Sequence, residues 1–179
     1  ASRVHPLATT RGVPGTHDVQ LLKKVLTKLG EKDPKTKIMV PTFSKINDDL
    51  LPKENWRIFE PRPRVILIEG WCVGAKSSFL TSYPETPWEK EHDSKGLWKS
   101  WTREESIKYE VIWKNLDFLI LIKQDNFEQV VENRWEQEQK NFSLAGIKPP
   151  IPKEKIREFC SHYESWTLGL WKHLPKIAN

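Results

Sequence analysis

Apolar residues along this chain recur in two ways. Val19, Leu22, Val25, Leu26 and Leu29 are spaced by three and four, which places them on one face of a helix. A helix is therefore expected from about Asp18 to Leu29, with Thr16 or Asp18 able to cap it and Gly30 to stop it. Near the other end, Ile156, Phe159, Cys160, Tyr163, Trp166, Leu170 and Trp171 form a longer stripe, predicting a helix from about Lys153 to Trp171. Ile107, Val111 and Ile112 mark a helix from about Thr102 to Leu116. Thr102 and Glu105 have the spacing of a capping box. Asp125 to Lys140 reads as a further helix.

The second kind of run is short and continuous. Val65-Ile66-Leu67-Ile68, ending in Glu69, and Phe118-Leu119-Ile120-Leu121-Ile122 are bounded by polar or glycine residues. Such runs read as strands buried on both faces, as in a parallel sheet. Lys37 to Pro41 reads as a short strand ended by proline. Residues 1–16 read as loop, and so do residues 75–100. Thr42 to Pro63 is a long polar connection carrying Asp48 and Asp49, and connections of that length are often functional. Helices alternating with strands of the parallel type predict an α/β class, and 179 residues suit a single domain spanning 1–179.

Composition narrows the function classes. Hydrophobic residues make up 37% and charged residues 30%, an ordinary globular balance. No apolar run approaches the roughly 20 residues that cross a bilayer, so no membrane partner is expected. No signal peptide is visible, and the two cysteines, Cys72 and Cys160, make neither a disulfide framework nor a zinc site. A reducing cytoplasm is the default. The net charge of +5 is spread among acids, which suits anionic small substrates better than nucleic acid. The nine tryptophans could stack on bases, but large aromatics more often fill cores.

Four places are weighed for chemistry. Glu69 closes a predicted strand, where ligands gather in open parallel sheets. It could hold a metal or act in catalysis, or it could simply face water. Arg11-Gly12-Val13-Pro14-Gly15-Thr16-His17-Asp18 sets a guanidinium, a hydroxyl, an imidazole and a carboxylate around a glycine turn at a helix start. That arrangement suits an anion, and His17 or Asp18 could polarise a hydroxyl. The same residues could equally do no more than cap the helix. Gly70-Trp71-Cys72-Val73-Gly74-Ala75-Lys76-Ser77 approaches a phosphate-binding P-loop but has Ala75 where the second glycine belongs. With Pro84 and Pro87 soon after, it is not read as one. Arg134, among Glu132, Glu136 and Glu138, has the spacing of surface ion pairs on a helix.

Taken together and in order, four segments resemble one family. They are the Arg11–Asp18 turn, Val40-Pro41-Thr42-Phe43-Ser44-Lys45, Val65 to Gly74, and Arg134-Trp135-Glu136-Gln137-Glu138. The chain resembles the D-glycerate 3-kinase-like P-loop kinases, which include fungal and plant glycerate kinases and bacterial ATP-dependent kinases. The resemblance implies a parallel-sheet core flanked by helices, with ATP and Mg²⁺ as cofactors and a hydroxy acid such as D-glycerate as acceptor. It would make Glu69 the Mg²⁺-side carboxylate and give Asp18 a catalytic part. It would place Arg11, Thr16, His17 and Lys45 at the acceptor, and Arg134 on a lid over the nucleotide phosphates. Family members also carry a strand, a true P-loop and a later acidic segment, all N-terminal to the matching region. This chain contains none of them, so it is read as the C-terminal portion of a longer kinase domain, to be completed by an N-terminal P-loop segment. The alternative is a catalytically inactive binding module with a basic surface, nucleic acid being one partner class.

Overall fold

A computed structural model describes residues 5, 7–8, 11–31, 37–44, 49–60, 63–144 and 151–179. The chain divides into two compact units, Asp18–Glu69 and the combination of Ala1–His17 with Gly70–Asn179. The described residues are mainly helical, with two small antiparallel strand pairs.

In the first unit, helix α1 spans Val19–Gly30. Asp18 is its cap: the carboxylate accepts from the Leu21 N–H at 2.8 Å, satisfying one of the donors left open at a helix start. Strand β1 (Ile38–Val40) pairs antiparallel with β4 (Arg57–Phe59), Ile38 facing Phe59. Strand β2 (Phe43–Ser44) pairs with β3 (Asp49–Leu50). The stretch expected to be a long loop, Thr42 to Pro63, thus carries three short strands and a 3₁₀ turn at Lys53–Asn55. Its prolines break the pattern into pieces too short to read by periodicity.

The second unit is built on helices α2 (Pro87–His92), α3 (Leu97–Trp113), α4 (Phe127–Leu144) and α5 (Lys153–His173). One core gathers Cys72, Ala75, Leu80, Trp166, Leu170 and Leu174. A second packs Ala8 and Val13 against Trp88 and Trp98. A third joins α4 to α5 through Phe127, Val131, Ile156 and Cys160, flanked by the Lys153–Glu132 and Arg157–Glu128 ion pairs. The α5 stripe read from the sequence is the buried one. That of α3 is not: Ile107 and Val111 are exposed, whereas Trp98, Lys99, Thr102, Ser106, Tyr109 and Ile112 are buried.

The capping box also lies elsewhere. Thr102 is inside α3, where its hydroxyl donates to the Lys99 carbonyl and accepts from the Trp166 indole. The real box is Thr86 with Glu89, with Pro87 in the first turn of α2. Residues 70–77 form turns and a three-residue 3₁₀ helix, Ser77–Phe79, rather than the long helix a P-loop opens into.

The two continuous apolar runs depart most from expectation. Neither residues 64–69 nor residues 117–123 form a strand, and no parallel sheet occurs among the described residues. Val65 and Leu67 are 81% and 84% exposed, and Phe118, Ile120 and Ile122 are 75%, 77% and 88% exposed. Leu119 and Leu121, the alternate residues, pack onto the first core. The physical reason is the lack of a ladder: a strand needs neighbours to take its backbone groups. The backbone of Leu119 instead bonds Asn179, through its carbonyl and its N–H, at 3.0 and 2.9 Å.

Lys99 ties α2, α3 and α5 together. Its side chain is 1% exposed, and its Nζ lies 2.8 Å from Glu85, 3.1 Å from Glu89 and 3.4 Å from the Ser165 hydroxyl. Replacing Lys99 with Met strands the buried Glu89 carboxylate. Loss of one partner of a buried pair costs about 3–5 kcal/mol, so Lys99→Met is expected to lower unfolding stability in urea by that amount, whereas Lys95→Met is expected to change it little.

Candidate functional site

The Arg11–Asp18 segment is a turn held from within and from both sides. Thr16 closes it: its Oγ1 donates to the Val13 carbonyl and accepts from the Gly12 N–H, each at 2.7 Å. The Thr16 hydroxyl therefore shapes the turn instead of capping α1, which Asp18 does. Trp71 donates its indole N–H to the Gly12 carbonyl at 2.9 Å and meets the Tyr163 ring edge-on at 5.1 Å. Tyr163 in turn lies against Gly12, where an added Cβ would come within 2.7 Å of its ring.

On the other side stands α3. Trp101, Glu105 and Tyr109 are spaced by four, one face of the helix, and all three reach the turn. Gly15 has φ +98°, and a Cβ there would meet Trp101 at 2.6 Å and Glu105 at 2.8 Å. The Gly15 N–H donates to the Tyr109 hydroxyl at 3.0 Å, and the same hydroxyl lies 3.0 Å from His17 Nδ1. Burial, joined by the Arg11 guanidinium, pushes the His17 pKa below its usual value, and burial raises the Tyr109 phenol to about 12. With its pKa lowered, His17 is a neutral imidazole at neutral pH. Trp71, Trp101, Tyr109 and Tyr163 were missed by sequence reasoning. The spacing of 101, 105 and 109 was the available signal, but nothing in the sequence says what that face touches.

The remaining sequence-derived residues are Glu69, Arg134 and Lys45. Glu69 is exposed on the unpaired segment that ends the Asp18–Glu69 unit. Arg134 lies on α4, bonded to Gln137 at 3.0 Å, paired with Glu138 and stacked 5.4 Å from the Phe159 ring of α5. Its Nε is buried with no hydrogen-bond partner. Lys45 lies outside the described residues. No group of three or more His, Cys, Asp or Glu side chains poised for a metal occurs among the described residues. Mg²⁺, however, is commonly held by one or two carboxylates together with substrate phosphates, a demand that an exposed Glu69 can meet. A cavity of about 250 Å³ lies among Lys76, Glu110, Trp113, Lys114 and Leu119, and none of the candidate residues lines it.

Comparison with known proteins bears on the fold. No family model matches the chain. The uncharacterized kinase mug58 of Schizosaccharomyces pombe is 26% identical over 168 residues, covering 89% of this chain and 58% of that protein. The solved D-glycerate 3-kinase from Cryptococcus neoformans var. grubii superposes with a TM-score of 0.64 at 21% identity, covering 93% of this chain and 62% of that one. The chain shares its fold with that kinase. The solved YGR205w protein gives the same TM-score at 22% identity, covering 92% of this chain and 56% of that chain. The match is therefore to part of each relative: the chain spans less than two thirds of their lengths. Among the described residues, no helix is long and apolar enough to cross a membrane.

Two outcomes follow from the turn. Gly15→Ala forces a side chain into a positive-φ position and against Trp101; left-handed strain and overpacking each cost about 1–3 kcal/mol, so chemical denaturation should show a loss of at least about 2 kcal/mol. For His17, an NMR titration is expected to give a midpoint below 6.5. A folded pKa below the unfolded one means the unfolded chain binds the proton more readily. His17 therefore costs no stability above about 6.5, and stability falls as pH drops from there through its folded pKa. Burial, and after it the Arg11 guanidinium, set this midpoint.

Proposed function

We propose that this chain is the acceptor-binding and lid portion of an ATP-dependent kinase. The kinase transfers the γ-phosphoryl group of ATP to a hydroxyl of D-glycerate or a similar hydroxy acid. The observation that carries the reading is the rigid Arg11–Asp18 turn, with an exposed guanidinium and a held imidazole, in a chain that shares its fold with a D-glycerate 3-kinase. A carboxylate-bearing acceptor suits that pair, because Arg offers two parallel donors to a carboxylate. Phosphoryl transfer needs positioning and charge neutralisation more than covalent chemistry. Arg11, Thr16, His17 and Lys45 would hold the acceptor, with Asp18 adjoining it. Arg134 would serve the nucleotide phosphates from the lid. Glu69 would hold Mg²⁺, which when bound neutralises charge on the phosphates.

The same reading accounts for the exposed runs. Apolar patches of this kind are uncommon on soluble monomers unless something covers them. In the proposed kinase they are strands of a parallel sheet, and the covering element is the N-terminal segment that carries the P-loop. Support comes from the alternation at 118–122, where Leu119 and Leu121 already pack inward and their neighbours do not.

The test is ADP formation with D-glycerate and Mg-ATP, using the protein made with any coding sequence that precedes Ala1. Turnover dependent on D-glycerate is expected, and Glu69→Gln is expected to lower it by about 10² or more, the scale of losing one charge-stabilising group. Full turnover by that variant would remove Glu69 from the mechanism. A protein that hydrolyses or transfers nothing with any hydroxy acid would remove the kinase reading.

A further inference from the structure

We infer that Tyr109 is a positioning residue of the Arg11–Asp18 turn, fixing His17 as the Nε2–H tautomer so that the imidazole meets the acceptor as a hydrogen-bond donor. The inference rests on the reading of this turn as the acceptor pocket.

The argument is one of counting protons. A phenol has one proton to give and can accept others. The Gly15 N–H already points at the Tyr109 oxygen. The His17 backbone N–H points at it as well, and the side-chain contact is His17 Nδ1 at 3.0 Å. If Nδ1 carried the proton, it too would donate to the phenol. The phenol's own hydrogen would then have no acceptor among the described residues, although Tyr109 is only 4% exposed. A buried donor left unpaired costs more than a typical hydrogen bond contributes. The arrangement that satisfies every group has Tyr109 donating to Nδ1, which leaves the hydrogen on Nε2. No described residue accepts from Nε2, and His17 is an exposed residue, so a proton there gives the turn a donor to offer a ligand.

Three features keep the phenol in place. Tyr109 lies on the buried face of α3, its ring is edge-on to His17 at 6.0 Å, and Trp113 packs beside it at 6.2 Å. The downward shift of the His17 pKa agrees with an imidazole that accepts at Nδ1 and stays neutral. The chemical consequence is selective. A neutral imidazole presenting N–H recognises a carboxylate or hydroxyl oxygen, and it cannot remove the proton of the attacking hydroxyl. If a side chain in this turn takes that proton, it is not His17.

Long-range ¹H–¹⁵N NMR of the 179-residue chain at neutral pH reads the tautomer directly. A protonated Nε2 and an unprotonated Nδ1 are expected for His17; an Nδ1–H signature overturns the inference. Tyr109→Phe keeps the ring and removes the hydroxyl, and is expected to give a mixture of tautomers with the helical signals of α3 retained. His17 signals identical to wild type in that variant also overturn it. D-glycerate added to both proteins separates the two readings. Binding weakened about tenfold in Tyr109→Phe, the equivalent of about 1.4 kcal/mol, supports the positioning role. Absence of any D-glycerate response in the wild type counts against the acceptor-pocket reading, while the tautomer signature still decides the Tyr109–His17 pairing.

Discussion

Lys99 brings an amine into the interior of the helical unit, and the elements around it are arranged to receive it. Glu89 is recruited twice: its carboxylate closes the capping box of α2 through the Glu85 and Thr86 N–H groups, and it also pairs with Lys99. Asp93 then caps α3 through the Trp98 and Lys99 N–H groups at 3.0 and 2.9 Å. The junction between α2 and α3 is thus set by two carboxylates, Glu89 with three partners and Asp93 with two. Such a network is costly when half made and specifies one geometry when complete. Because it fixes the start of α3, it also fixes where Trp101, Glu105 and Tyr109 stand, and hence the shape of the turn they hold.

That chain of dependence separates what was legible in the sequence from what was not. The helices α1 and α5 were legible because each carries its apolar residues in one stripe, of which Val19 on α1 and Ile156, Cys160, Trp166 and Leu170 on α5 are buried. Helix α3 was legible as a helix but not in its orientation. Its buried face mixes Trp98 with Lys99, Thr102, Ser106 and Tyr109, polar groups whose partners lie on α2, α5 and the turn. Periodicity weighs apolar residues and so chose Ile107 and Val111 instead. The capping box was misplaced for a related reason: Thr102 and Glu105 have the right spacing, and only the tertiary bond from Trp166 shows that Thr102 is interior.

The apolar runs at 65–68 and 118–122 illustrate a different limit. Their composition asks for strands with neighbours on either side, and the sequence expresses that demand whether or not the neighbours are present. Alternation of inward and outward residues survives at 118–122 because the inward half finds a core in Trp166 and Leu170. A ladder cannot arise in the same way, since hydrogen bonding along a strand needs another extended backbone at about 4.8 Å. A run that reads as buried and is found exposed thus shows that apolar composition alone does not make a strand.

The candidate site was legible in its residue types and not in their roles. Glycine at 12 and 15 announces a close approach, but which side chains approach depends on contacts some 90 residues away in sequence, from Tyr109. Those contacts redistribute the chemistry of the turn. Thr16 spends its hydroxyl on Val13 and Gly12, and Asp18 commits one oxygen to the start of α1. Arg11 and His17 are, with Asp18, the exposed residues of the turn, and a guanidinium and a neutral imidazole N–H both favour an anion or an electron-rich oxygen. A turn so constituted is suited to orient an acceptor and offset its charge. In the proposed kinase, moving a proton would then fall to a carboxylate or to the phosphoryl oxygens themselves, in a reaction whose barrier is lowered chiefly by alignment and electrostatics.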